Sequence, residues 1–315
     1  MFNFCTFTIF RPLKIKRNSI AKFIAILFSA VYIHSVASAD DDDTPTTNSW
    51  TQGNARFGLF DGLDHRSVYY KDIFPEPLLL DETGLEPDGE LELNYLHTAT
   101  DQSRSDIIST EIEKSFGVVT FELGVPYQRF SDSDDTAQGI GNIDLAARSP
   151  IYQSVSGNGV FDNTTGVGLE VGIPVNSEVS KNTELNPSVF NDLSIGNHFS
   201  IQSQVGYDKL FGGGGDGGSE EFEYGLVFAW IIPHEELPIP AVERFSPLFE
   251  VDGELGLNED EAGQNSVLGD MGFRVDFRPI GGLEPSFGLG YVFPMSSVAR
   301  QEVHWGIITS FTVEF

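Results

Sequence analysis

The stretch Val-Thr-Phe-Glu-Leu-Gly-Val-Pro-Tyr, residues 119–127, carries an apolar side chain at every second position. A period of two is typical of a β-strand, because successive side chains of a strand point to opposite faces. The same alternation returns at 167–175, 222–230, 271–277 and 303–315. One face of each stretch is apolar and often aromatic, and the other face carries small or charged residues. The sequence therefore predicts an all-β fold.

Twelve stretches alternate in this way, and clusters of Gly, Asn, Asp and Ser separate them. They lie at about 90–99, 107–116, 117–128, 139–150, 166–175, 185–194, 199–208, 221–231, 245–257, 266–278, 283–294 and 301–315. Most are near ten residues long, the length that a tilted strand needs to cross a membrane. We therefore predict a transmembrane, antiparallel, up-and-down β-barrel of about 12 strands with an irregular N-terminal extension. The alternative is a soluble periplasmic β-sandwich that acts as a binding protein, although its strands would commonly be shorter.

The first 39 residues have a composition of their own. They are basic up to Lys22, apolar from Phe23 to Ile33, and end on Ala37-Ser38-Ala39, a pattern typical of a secretory signal peptide. Five of the 18 Lys and Arg residues lie there, but none of the 47 Asp and Glu residues. The only cysteine, Cys5, lies there too. The remaining chain is strongly acidic and free of cysteine, which excludes nucleic-acid binding, a disulfide scaffold and a thiol enzyme.

These observations divide the chain into three parts. Residues 1–39 are the predicted signal peptide, residues 40–89 an acidic linker followed by an irregular segment, and residues 90–315 the barrel. Pro75, Pro77 and further turn-forming residues interrupt any regular element in the middle part. Apolar side chains there, such as those of residues 78–80, suit a plug inside the barrel, but a periplasmic tether is equally compatible with the sequence.

Four stretches carry a family resemblance. They read Gly-Glu-Leu-Glu-Leu-Asn-Tyr (89–95), Phe-Glu-Leu-Gly-Val-Pro-Tyr (121–127), Gly-Ile-Gly-Asn-Ile-Asp-Leu (139–145) and Gly-Leu-Glu-Val-Gly-Ile-Pro (168–174), followed by the terminal Phe315. This order resembles outer-membrane barrels of the phenol-degradation MetA-like transporter group. The resemblance implies an outer-membrane protein of a Gram-negative cell that passively transports small, often hydrophobic or aromatic, compounds. It carries over no catalytic residue.

The sequence lacks the arrangements that are typical of an enzyme or a metal site. The six histidines are scattered, and there is no Gly-x-Ser-x-Gly motif. The pairs His65 with Ser67 and His198 with Ser200 match the spacing of barrel phospholipases, but neither falls near the predicted outer rim of the wall. We therefore expect no enzymatic activity, no cofactor and no metal.

If the apolar side chains of the strands face lipid, the polar side chains at the alternate positions line the lumen. The predicted lumen-lining residues are Glu92, Glu111, Glu113, Glu122, Asp144, Glu170, Glu250, Asp252, Glu254, Arg274, Asp276 and Arg278. Such an acidic tube should favour cations or polar neutral solutes over anions. We predict a channel or passive transporter for small molecules, while the alternative is a closed structural or binding barrel whose charges pair across strands. Glu250 and Arg274 are predicted to be cross-strand neighbours.

The chain end and the loops indicate partners. Trp305, Phe311, Val313 and Phe315 share the predicted lipid face of the last strand, and we expect them to form an assembly signal for the barrel-assembly machinery. Acidic residues cluster in the loops that we predict to be extracellular, such as residues 132–135 and 259–261. They would face outer-membrane lipid and anionic lipopolysaccharide. One expectation is that divalent cations bridge the carboxylates to phosphates; the alternative, which screening by salt favours, is a solvated acidic rim that repels anions and keeps the loops extended.

Overall fold

The computed structural model describes residues 73–81, 83–84, 89–116, 118–132, 135–155, 160–212, 219–237, 239–258 and 262–315. Within them the chain forms strands and one short helix. The elements are β1 (Gly89–Ala99), β2 (Arg104–Phe116), β3 (Val119–Ser131), β4 (Thr136–Ile140), β5 (Asn142–Val155), β6 (Phe161–Pro174), β7 (Thr183–Ile195), β8 (Phe199–Phe211), β9 (Glu220–Trp230), β10 (Ile232–Pro233), β11 (Val242–Gly256), β12 (Asn265–Phe277), β13 (Glu284–Pro294), α1 (Ala299–Glu302) and β14 (Trp305–Glu314).

The strands close into a ring. Each wall strand pairs antiparallel with the next, β9 pairs with β11, and β14 pairs with β1. β4 and β5 are two parts of one wall strand that both pair with β3, with Gly141 between them. β10 is a two-residue strand beside β11. The wall is therefore a closed, antiparallel barrel of 12 strands, as the sequence predicts.

The two faces of the wall differ sharply in exposure. On β1 the exposed fractions of Leu91 and Leu93 are 43% and 48%, whereas those of Glu90 and Glu92 are 3% and 7%. The other strands repeat this pattern, except that on part of the wall apolar side chains such as Val227, Leu248 and Val292 also point inward. Strands of 10 residues in β14 to 15 in β11 span about 23 to 35 Å at a 45° tilt. The outer surface therefore matches a hydrocarbon layer of about 25 to 30 Å.

A separate finding concerns helices. Among the residues that the structure describes, no helix is long and apolar enough to span a membrane.

The ends of the barrel have different loops. At the end where β1 begins and β14 stops, the β2–β3 and β7–β8 connections are only 117–118 and 196–198. At the opposite end the connections 175–182, 212–219 and 257–264 are longer. Because extracellular loops are the long ones in such barrels, we orient the long-loop end outward. The long connection between β9 and β11 is an exception at the periplasmic end. β3 and β4 are longer than predicted at the long-loop end. β3 runs to Ser131 and β4 begins at Thr136, whereas the predicted stretches end at 128 and begin at 139.

The prediction that Glu250 and Arg274 are cross-strand neighbours is wrong. Glu250 lies opposite Asp270, and Arg274 lies opposite Ser246. The centre of the loop between β11 and β12 lies two residues before the predicted centre, and such an offset moves every cross-strand partner by four residues. Because four is even, both side chains remain on the inner face.

Candidate functional site

The structure places the predicted lumen residues on the strands as follows. The acidic residues of this set and Arg274 have the same parity as the buried side chains of their strands and therefore point inward. Arg278 is different, because it lies one residue beyond the end of β12 and is exposed. Its Nε is 3.6 Å from Oε2 of Glu243. Arg278 thus lies at the periplasmic rim and not on the wall.

Part of the N-terminal extension lies inside the barrel. Ile73 and Leu78 are buried, with exposed fractions of 3% and 5%, although they belong to no helix or strand. They pack in one apolar cluster with inward side chains of the wall, namely Val227, Ala229, Leu248, Val292 and Ile308, and with Ile231. Residues 73–84, as far as they are described, are called the inner segment below.

Glycines of the wall make room for the leucines of the inner segment. A Cβ atom on Gly288 would lie 2.3 Å from Cδ2 of Leu78, and one on Gly272 would lie 2.7 Å from its Cδ1. A Cβ atom on Gly225 would lie 2.5 Å from Cδ2 of Leu80. These distances are shorter than any van der Waals contact, so the segment occupies the space that side chains of β9, β12 and β13 would otherwise fill.

Glu250 of β11 binds the backbone of the inner segment. Its Oε1 accepts a hydrogen bond from the amide of Leu78 at 2.7 Å, and its Oε2 accepts bonds from those of Leu79 and Leu80 at 2.9 and 3.2 Å. Three successive amides thus point at one fully buried carboxyl group. Hydrogen bonds to an ionised acceptor are stronger than neutral ones, so Glu250 fixes the conformation of this turn.

Arg274 of β12 makes a second attachment. Its guanidinium pairs with Glu76, and its Nη2 donates to the carbonyl oxygen of Pro77 at 3.3 Å. The same guanidinium is held on the wall by hydroxyls 2.9 to 3.1 Å away, those of Ser286, Thr312 and Ser310. Burial raises the pKa of the Glu76 carboxyl well above its usual range, and the Arg274 charge opposes that rise.

The remaining attachments lie on β7 and β8. The hydroxyl of Thr83 donates to Oδ1 of Asp192 at 2.6 Å and lies 3.2 Å from Oε1 of Gln202. The Nε2 of Gln202 donates to the carbonyl oxygen of Pro75 at 2.7 Å. The inner segment is therefore attached to the wall from β7 round to β14, and its Glu76 also lies beside Glu90 and Glu92 of β1.

A cavity of about 170 Å³ lies between the inner segment and the inner faces of β1, β2, β3 and β14. Both the inner segment and the barrel wall contribute apolar and acidic side chains to its lining. The apolar lining comes from Leu78, Leu79, Leu80, Leu96, Ile107 and Ile308, and the acidic lining from Glu76, Asp81, Glu92, Glu111, Glu113 and Glu122.

A larger vestibule of about 480 Å³ lies at the long-loop end. Its polar lining comprises Gln128, Asn142, Asp144, Glu170, Ser180, Lys181, Asn182 and Glu184. Glu170 also lines a small space of about 30 Å³ that reaches Asp81 and Glu122, two residues that border the 170 Å³ cavity. Carboxylates therefore form a continuous lining from the vestibule to the inner cavity.

Arg148 is the cation on this lining. Its guanidinium pairs with Glu113 on β2, and its Nη1 lies 3.3 Å from Oε2 of Glu122 on β3. Among the described residues that line these three spaces, Arg148 and Lys181 are the only Lys or Arg residues. Arg148 is thus already paired with two carboxyl groups, and the lining carries many more carboxyl groups than basic ones.

The sequence does not predict the contacts of several inward residues. Gln202, Asp192 and Asp270 lie at the polar positions of their strands, so alternation identifies the face they lie on but not their partners. Asp270 is fully buried, and neither of its carboxylate oxygens has a hydrogen-bond partner among the described residues. Glu76 and Thr83 lie in an irregular segment, where no periodicity indicates which way a side chain points.

The residues of the predicted assembly signal all lie on the outer face of β14 or directly after it. The exposed fractions of Trp305, Phe311 and Phe315 are 40%, 46% and 56%. The amide of Gly89 donates to the carbonyl of Phe315 at 3.0 Å, and the amide of Phe315 donates to that of Gly89 at 2.7 Å. Phe315 thus closes the seam between β14 and β1, and its role in assembly stays a prediction.

Comparison with known proteins identifies the architecture. No family model matches the chain, and no curated protein sequence matches it. The COG4313 outer membrane channel from Pseudomonas putida F1 is similar in structure, with a TM-score of 0.51, 12% identity, and coverage of 74% of this chain and 97% of that chain. The NanC porin and the KdgM porin have TM-scores of 0.41 and 0.37 and identities of 7% and 12%. They cover 71% of this chain, and the matches span 98% and 99% of their own chains. The likeness to the COG4313 channel shows the fold, which is that of an outer-membrane β-barrel.

Proposed function

We propose that this protein is an outer-membrane channel for the passive movement of small cationic or neutral molecules. The observation that supports this function is the carboxylate-lined space between the inner segment and strands β1 to β6. A closed barrel with an apolar outer face provides the wall, and the vestibule at the long-loop end provides the entrance.

The charge of the lining supports the selectivity. Asp144 and Glu170 lie in the vestibule, Glu122 lies deeper, and the guanidinium of Arg148, beside the small connecting space, already pairs with Glu113 and Glu122. A narrow, one-signed lining with low-dielectric walls attracts counter-ions and repels ions of its own sign. Cations therefore enter at low cost, and anions are excluded.

The mixed chemistry of the inner cavity supports a cargo class. Apolar and carboxyl side chains share its lining, so a molecule with an apolar body and a polar or cationic group matches both kinds of contact. A volume of about 170 Å³ is close to that of an apolar cavity of about 150 Å³ known to bind benzene, which suits a small aromatic compound. Hydrophobic or aromatic cargo, and membership of the MetA-like group, are part of this proposal.

The proposal includes the path to the membrane. Residues 1–39 direct secretion, residues 40–89 link the leader to the barrel and supply the inner segment, and residues 90–315 form the barrel. The terminal strand with Phe315 is recognised by the assembly machinery. Transport needs neither catalysis nor a cofactor.

A planar-bilayer experiment with the refolded barrel tests the function. In asymmetric KCl we expect a reversal potential of the sign that indicates cation preference. E170Q should reduce that preference, because Glu170 lines the vestibule. E243Q is a matched control, because Glu243 is exposed at the periplasmic rim and should leave the reversal potential unchanged. Anion preference would contradict the proposal.

A closed barrel is the second candidate, favoured by the inner segment, which is attached to β7, β8, β11, β12 and β14. The same experiment separates the two. A barrel that shows native heat-modifiable mobility but no conductance, and whose liposomes do not swell in small neutral solutes, would be structural or binding in function.

A further inference from the structure

Two arginines lie on the outer face of the barrel near its long-loop end. Arg104 on β2 and Arg129 on β3 are both exposed. Arg104 lies on the same face of β2 as Ile108, which is 44% exposed, and Arg129 lies on the same face of β3 as Tyr127, which is 43% exposed. Their side chains therefore leave the wall on the side that meets lipid.

The register places the two arginines at one level and close together. Arg104 lies opposite Ala99, and Ala99 lies opposite Trp305. Asp106 lies opposite Arg129, so Arg104 and Arg129 are diagonal neighbours, with about 7 to 8 Å between such positions. Tryptophan and tyrosine mark the interface between hydrocarbon and head groups. The guanidinium groups thus lie at the head-group level of the outer leaflet.

The charges around the arginines leave both guanidinium groups available. Asp106 already binds Tyr95, whose hydroxyl donates to Oδ1 at 2.9 Å, and His97, whose Nδ1 is 2.8 Å from the same oxygen. The side chain of neither Arg104 nor Arg129 makes a hydrogen bond or close ion pair with another described residue, although Arg129 acts electrostatically on Asp106 opposite it. Two available cations side by side are unexpected in a chain with a net charge of −29, and they call for an anionic ligand.

We propose that Arg104 and Arg129 form a binding site for a phosphate group of lipid A, the membrane anchor of lipopolysaccharide. A guanidinium binds phosphate with two parallel N–H···O bonds, and two groups at this spacing reach one phosphate from two sides. The apolar row below them, Tyr95, Ile108 and Tyr127, contacts the acyl chains. The site lies outside the barrel and is independent of the cargo space, and it requires the long-loop end to face outward.

Binding of purified lipid A to the detergent-solubilised barrel tests the site. We expect the double variant R104Q/R129Q to bind bisphosphorylated lipid A at least tenfold more weakly than the wild type. K209Q is the matched control, because Lys209 is also an outward cation at this end but already pairs with Glu220; its affinity should stay within twofold. Heat-modifiable mobility and conductance of all variants should match the wild type.

Two further ligands identify the recognised group. Dephosphorylated lipid A should bind the wild type as weakly as R104Q/R129Q binds the phosphorylated form. Vesicles of phosphatidylglycerol should compete poorly, because they lack the phosphorylated disaccharide. Equal binding of lipid A by the wild type and R104Q/R129Q would overturn the site, and equal competition by phosphatidylglycerol would overturn the assignment to lipid A.

Discussion

Replacing Glu250 by glutamine should release the inner segment from the wall. The carboxylate accepts three backbone amides at 2.7, 2.9 and 3.2 Å, and a neutral side-chain amide cannot reproduce this arrangement because its NH₂ group would face one of the N–H donors. Hydrogen bonds to a charged group contribute about 1.5 to 3 kcal/mol each. With water replacing part of the lost bonding, we expect a net loss of about 3 kcal/mol. That loss multiplies the population of the released segment by about 150, at tenfold per 1.4 kcal/mol.

Thiol labelling measures this population directly. Because the only cysteine, Cys5, lies in the predicted leader, the L79C variant of the mature chain carries one thiol, on the half-buried inner segment. We expect L79C/E250Q to react with a water-soluble maleimide about 100 times faster than L79C. The rate follows the population of the released segment when release and return are fast relative to labelling.

D270N provides the matched control for E250Q. Asp270 lies opposite Glu250, is equally buried, and makes no hydrogen bond to the described part of the inner segment. L79C/D270N should therefore label within about threefold of L79C, although it makes the same carboxyl-to-amide change on the inner face. Equal acceleration by E250Q and D270N would refute the reasoning, because lumen charge and not the three amide bonds would then hold the segment.

Three other changes test other parts of the structure. R148Q removes the cation that pairs with Glu113 and Glu122, so cation-to-anion permeability from reversal potentials should rise at least twofold; a fall would contradict the acidic lining as the source of selectivity. G288V places side-chain atoms where Leu78 packs, which should destabilise the inner segment by about 1 to 3 kcal/mol and accelerate labelling of L79C, and an unchanged rate would place Leu78 elsewhere. Deleting Phe315 removes the seam bonds to Gly89 and the terminal aromatic ring, so fractionation should show less barrel in the outer membrane with secretion unaffected; normal assembly would count against the signal.

The wall could be predicted from the sequence because its periodicity is physically enforced. Lipid on one side and a polar lumen on the other require alternation at every strand, so residues 119–127 or 303–315 show their strand character without any tertiary information. Strand number and the inward parity of Glu250 and Arg274 follow from the same pattern. The cross-strand partners of these two residues do not follow from it. They depend on the centre of the loop between β11 and β12, and the composition of residues 257–264 does not fix the turn geometry there.

The sequence leaves the inner segment open between a plug and a periplasmic tether for a different reason. Its attachments involve backbone amides of residues 78–80, a carbonyl of Pro75 and the carboxyl of Glu76, none of which produces a periodic pattern. The space for it is visible in the wall only as glycines at positions such as Gly272 and Gly288, and the sequence does not say which side chain fills that space. The sequence also does not predict that Arg104 and Arg129 lie close together, because their proximity depends on the register of neighbouring strands.

The attachments of the inner segment have a consequence for the order of folding. Thr312, whose hydroxyl donates to Glu76 at 2.9 Å, is separated from it by 236 residues and lies near the chain end. Contacts of such separation form late, because the intervening loop must close first. The segment therefore remains without its full set of partners until β14 has been delivered, and a chain stalled before its last strand exposes Leu78 to Leu80. Those leucines would be a recognition site for periplasmic chaperones on every unfinished barrel.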